Sequence, residues 1–136
     1  MKTLLLLLAF PLTSAAQLPN APTPKFLTKE KIVGIAALTA LDTIDAYTTT
    51  RYQDAGGQEQ NPIARPFVKS HHATAMYFSA SLGLAIGGTW LCHHEAIRHP
   101  RHKKAWQIAE RVILWGNVAE EIYVVVPNLQ GISKIR

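Results

Sequence analysis

ATAMYFSASLGLAIGGTWLC, residues 73–92, contains no Asp, Glu, Lys, Arg or His. As an α-helix, about twenty residues rise about 30 Å, the thickness of a bilayer's hydrocarbon core. A stretch this apolar around its whole circumference belongs in lipid or at the centre of a soluble bundle, and its evenness favours lipid. Ser79, Gly83 and Gly87 recur at intervals of four, which makes a ridge of small residues that another helix backbone can approach. Tyr77 and Trp90 stand towards opposite ends, where interfacial aromatics belong.

Outward from this stretch, two further helices are expected. One runs over residues 28–52, with Thr28 as N-cap and Gly56-Gly57 beyond its end. The other runs over residues 103–126 and stops at Pro127-Asn128. The fold class is therefore all-α: about three membrane-associated helices. They follow a cleavable signal peptide, residues 1–16, which has Lys2 ahead of an apolar run at residues 4–10 and small residues Ser14, Ala15 and Ala16 before Gln17. The other reading of this leader is a retained anchor. Residues 17–27 are Pro-rich and read as a tether, residues 28–128 as the three-helix membrane domain, and residues 129–136 as a polar tail.

At 136 residues with a net charge of +5, the chain supports one small domain. The charge excess does not point to nucleic acid, because Arg98, Arg101, Lys103 and Lys104 crowd into one connecting segment rather than striping a helix. Cys92 is the single cysteine, so no intrachain disulfide forms. Orientation rules conflict. A cleaved leader and three spans place residues 93–104 outside, whereas their positive charge favours the cytoplasmic side.

The first helix ends in LDTIDAYTTT, residues 41–50. Asp42, Asp45 and Thr49 fall at i, i+3 and i+7, on one stripe. The following segment holds Gly56-Gly57, Glu59, Asn61 and Pro62. It is expected to turn back and bring Glu59 and Asn61 to the end of the same helix. On the third helix, Glu110, Asn117 and Glu121 fall at i, i+7 and i+11, with Glu120 one position off, and Asn117 is expected to bond across to the first helix.

The order Asp45-x-x-Thr48, then Gly57-x-Glu59-x-Asn61-Pro62, resembles a pattern found in small multi-pass bacterial membrane proteins of unknown function. The likeness spans about residues 35–92. It implies a helical membrane fold of three or four spans and carries no activity with it.

Asp42, Asp45, Thr49, Glu59, Asn61, Glu120 and Glu121 are thus the candidate polar cluster. Such a cluster serves either as a ligand or proton site, since oxygen-rich groups suit hard cations and intramembrane acids relay protons, or as a structural junction paired with Thr hydroxyls or with Arg51, Arg65 or Arg111. The histidine-rich HHEAIRHPRH, residues 93–102, offers Glu95, His99 and His102 as weak metal ligands, and reads more simply as a solvated basic loop. No GxSxG, HExxH or phosphate loop is present, so the reading leans against an enzyme, and no cofactor is expected. A metal-dependent enzyme using the acids with His71 or His93 ranks last.

The expected function is a structural or accessory module of the bacterial cell envelope in the inner membrane. Its partners are membrane lipid and either another membrane protein or a second copy, meeting the Ser79–Gly83–Gly87 ridge. Alternatives are a small ion- or proton-handling unit and a soluble periplasmic helical bundle.

Overall fold

The computed structural model describes residues 24–59 and 61–132. The leader, residues 1–16, and most of the tether lie outside the described residues. Three α-helices and one short 3-10 turn account for the regular structure: α1 Lys29–Asp54, α2 His71–Arg98, the turn Pro100–His102, and α3 Lys103–Ile132.

Local chemistry sets the ends. The Thr28 hydroxyl accepts from the Lys31 amide at 3.4 Å and opens α1. Gly56, at φ +81°, leaves the helix in the left-handed region that glycine enters without strain. Ser70 caps α2 by accepting from the Ala73 amide. His71 Nε2 meets Asp54 Oδ1 at 2.7 Å, tying the start of α2 to the end of α1. Pro100 then ends α2, because the residue before a proline is pushed out of helical geometry.

Two boundaries differ from expectation. α2 continues through His93, His94 and Glu95 to Arg98, so more than half of the histidine-rich stretch is α-helical rather than loop. α3 runs through Pro127 to Ile132, past the expected stop and into the supposed polar tail. Proline forfeits one backbone bond there, and the Asn128 side chain supplies a tertiary bond to α1 that holds the last turns in place.

α1 and α3 run parallel, with α2 antiparallel to both; α3 packs along each of the others. Lys31 meets Glu110, Gly34 meets Leu114, and Asp42 meets Glu121, a constant register along the α1–α3 seam. The interior is unusually polar. α1 buries Lys31, Asp42, Asp45, Thr48 and Thr49 beside Gly34 and Leu38. α2 buries Thr74, Thr89 and His93, and α3 buries Glu110. The outside is the reverse: Ile32, Val33, Leu84, Ile108, Val112 and Tyr123 are exposed, Leu84 at 77% and Tyr123 at 80%. α2 alone among the described helices is long and apolar enough to cross a membrane, by length and composition.

Candidate functional site

The polar interior divides into two centres. The first lies toward the C-terminal ends of α1 and α3. Asp42 is only 5% exposed and Asp45 is 6%; both face inward because they share the stripe that also buries Leu38 and Thr49. Asp45 Oδ1 accepts from Asn128 Nδ2 of α3 at 2.6 Å and from the Thr48 hydroxyl at 3.4 Å. Asp42 meets the Glu121 carboxyl of α3. Here the bonding is incomplete: Asp42 Oδ2 and Glu121 Oε2 are buried, and neither reaches a donor.

The loop after α1 closes this end. Glu59 Oε2 accepts from the Thr49 hydroxyl at 3.4 Å, Glu59 Oε1 accepts from the Asn61 amide at 2.8 Å, and Arg65 Nε donates to the Glu59 carbonyl at 2.8 Å. Ala64 and Val68 seat the loop on Phe78 of α2, and Gln53 Nε2 donates to the Val68 carbonyl. α2 contributes Tyr77, close enough to Asp45, Glu59, Glu120 and Glu121 to feel their charges.

The second centre, at the opposite end, takes one residue from each helix. Lys31 Nζ of α1 pairs with Glu110 Oε1 of α3 and lies 3.0 Å from His93 Nδ1 of α2. His93 Nε2 is 3.2 Å from the Pro24 carbonyl, and its ring meets Phe26 edge-on. Glu110 Oε1 lies 3.4 Å from the same Nδ1, so the three side chains meet at one point. All three side chains are buried. A cleft of about 260 Å³ opens onto them, bordered by Pro24, Thr28, Gln107 and Leu114. At its rim, outside the apolar stretch of α1, Glu30 receives Arg111 Nε at 3.1 Å and Nη2 at 3.4 Å. The Arg111 guanidinium holds the Glu30 carboxyl below its ordinary value.

Of the residues singled out from sequence, Asp42, Asp45, Thr49, Glu59 and Glu121 gather at the first centre. Glu120 is exposed on α3. Asn61 is a loop former: it is exposed, and its Oδ1 accepts from the Ile63 amide. Asn117 donates to the Ile113 carbonyl of its own helix, not to α1. Arg111 is committed to Glu30, and Arg65 reaches a backbone carbonyl rather than an aspartate.

Ser79, Gly83 and Gly87 lie on the exposed face of α2, with open space where a Cβ would stand on either glycine. Among the described residues the ridge packs no helix; the close approach falls instead at Gly34. Glu95 Oε2 pairs with His99 Nε2 at 3.0 Å one turn on, while His102 is exposed in the 3-10 turn. No three His, Cys, Asp or Glu side chains among the described residues gather so as to hold a metal ion.

Sequence reasoning missed Lys31 and Asn128. A signal for Lys31 existed: it precedes Asp42 by eleven positions, three helical turns, as Glu110 precedes Glu121. In comparisons with known protein families, curated proteins and solved structures, the chain matches none of them.

Proposed function

We infer that the chain is a small integral membrane protein of the bacterial cell envelope, exported by its leader and resident in the inner membrane as a structural or accessory module. The observation that carries this reading is the inverted distribution of side chains. Eighteen large apolar side chains among the described residues are exposed, while the buried set includes Lys31, Asp42, Asp45, His93 and Glu110. In water, each large apolar side chain left out of the core forfeits about 1.5–3 kcal/mol. Lipid removes that loss, and it requires that polar groups find partners inside the protein. Lys31 with Glu110 and Asp45 with Asn128 meet that requirement. At 26 and 30 residues, α1 and α3 exceed the about 20 that a span needs. α1 turns Lys31, Asp42 and Asp45 into the bundle and α3 turns Glu110, while Glu30, Arg111 and Glu120 stay exposed.

The likeness of the Asp45–Pro62 pattern to small multi-pass bacterial membrane proteins supports the same reading. Carbonate extraction of expressed membranes, with sequencing of the mature N-terminus, tests it. Retention in the pellet with a start at Gln17 is expected. Release into the supernatant would replace it with the periplasmic bundle.

A second reading, a small proton-handling unit, is favoured by one observation: Asp42 and Glu121, whose carboxyls interact, each bury an oxygen that lacks a donor.

A further inference from the structure

Between the two polar centres lies a single apolar layer. Leu38 of α1, Ala85 of α2 and Val118 of α3 are buried against one another, with Ala37, Leu41 and Leu82 packed around them. On α1 this layer separates Lys31 from Asp42, and on α3 it separates Glu110 from Glu121. On one side of it, the acids descend in steps. Asp45 lies within charge range of both Asp42 and Glu59, Thr49 donates to Glu59, and Glu59 is half-buried in the loop at that end of the bundle. On the other side, half-buried Asn117 of α3 donates to the Ile113 carbonyl and buried Thr89 of α2 donates to the Ala85 carbonyl, so each is spent on its own helix rather than on Lys31 or Glu110.

We propose that Asp42 and Glu121 hold one proton between them, and that this proton exchanges only with the bundle end that carries Glu59, the Leu38–Ala85–Val118 layer closing the way to the other. The inference rests on the proton-handling reading given above. Two acceptor oxygens facing each other away from water need a donor between them. One proton on either carboxyl supplies it and makes a charge-assisted O–H···O bond, among the strongest in proteins. The proton comes from water at the Glu59 end, and only an O–H bond forms or breaks. The groups facing the pair are Asp45 on α1, Tyr77 on α2, Glu120 and Asn128 on α3, and Glu59 on the loop. None is a lysine, arginine or histidine, so no cation of the described chain neutralises the pair in the proton's stead. The apolar layer gives the site its sidedness, because protons do not cross a closely packed aliphatic contact without water or a polar group to carry them.

Two measurements on the full chain test this. Infrared spectra of the protein in phosphatidylethanolamine–phosphatidylglycerol vesicles are expected to show a protonated-carboxyl C=O band near neutral pH. The band is lost in the Asp42→Asn/Glu121→Gln double variant and kept in Glu120→Gln. The same vesicles, loaded with a pH dye, are expected to be as proton-tight as protein-free ones. Leu38→Asn, or Val118→Asn should the first fail to fold by circular dichroism, makes them leak, and adding Asp42→Asn/Glu121→Gln removes the leak. An absent band in folded wild-type protein, or one that survives the double variant, overturns the shared proton and the proton-handling reading with it. A band that behaves as expected, with vesicles that stay tight in a folded Leu38→Asn or Val118→Asn variant, overturns the one-sided access alone. A leak in wild-type vesicles does the same.

Discussion

Gly34 of α1 lies so close to Leu114 of α3 that a β-carbon on it would stand 2.7 Å from Leu114 Cδ2 and 3.0 Å from Cγ. Leu114 is 2% exposed and borders the cleft of the second centre, so its side-chain end can shift only partly. Gly34→Ala regains about 1 kcal/mol of helix propensity and loses a similar amount to crowding, so little net change is expected. Gly34→Val adds more bulk without further gain and should destabilise by about 1–3 kcal/mol. Thermal unfolding in detergent ranks the two variants, and Leu114→Ala added to Gly34→Val is expected to restore part of the loss.

Lys31 and Glu110 form the buried ion pair of the second centre. Removing one partner strands the other charge, so Lys31→Met or Glu110→Leu alone should cost about 3–5 kcal/mol. The double variant is expected to recover most of that, because an apolar pair there carries no desolvation penalty. A double-mutant cycle on unfolding free energies decides it. Additive losses would contradict the pairing.

Asn128 sits one residue beyond Pro127, and its bond to Asp45 holds the final turns of α3. Asn128→Ala should cost about 1 kcal/mol, the usual net scale of a side-chain hydrogen bond. It should also raise amide hydrogen exchange over residues 127–132 while leaving residues 110–118 protected. Unchanged exchange at the helix end would show that the bond does not hold it.

Gly83 and Gly87 face outward with open space at their Cα atoms. Gly83→Leu and Gly87→Leu are therefore expected to leave the unfolding temperature of the isolated bundle within a few degrees of wild type, as surface changes do. If the ridge joins copies of this chain, the same variants abolish chemical cross-linking between them in membranes. Cross-linking that persists would place the contact elsewhere.

The three helices were legible because their signals are local: Thr28 as a cap, Gly56-Gly57 beyond the end of α1, an uncharged run of about bilayer length. The acidic centre was half legible. Asp42, Asp45 and Thr49 share a face by arithmetic alone, and Glu59 returns to it because the glycines and Pro62 permit that turn. Asn61 and Glu120 were drawn in by proximity in sequence, yet Asn61 spends its side chain on its own turn and Glu120 is exposed on α3. The Lys31–His93–Glu110 centre was hidden, since its members lie on three helices and depend on how those helices are rotated. The extension of α3 through Pro127 was hidden for a related reason. A proline's local preference is readable, whereas the side-chain bond that overrides it comes from 83 residues away.

The pairs Lys31–Glu110 and Asp42–Glu121 are eleven residues apart on both helices. If α3 slid one turn along α1, Lys31 would meet Leu114 and Asp42 would meet Val125. Aliphatic neighbours would tolerate that slip, for Leu and Val replace one another at modest cost, and the exposed apolar surfaces would not register it at all. The charged side chains would lose their partners at both places together. In a bundle whose exterior cannot tell one alignment from the next, these few polar contacts act as a vernier: they fix where α3 stops along α1, and a single substitution among them loosens the alignment of the whole pair of helices.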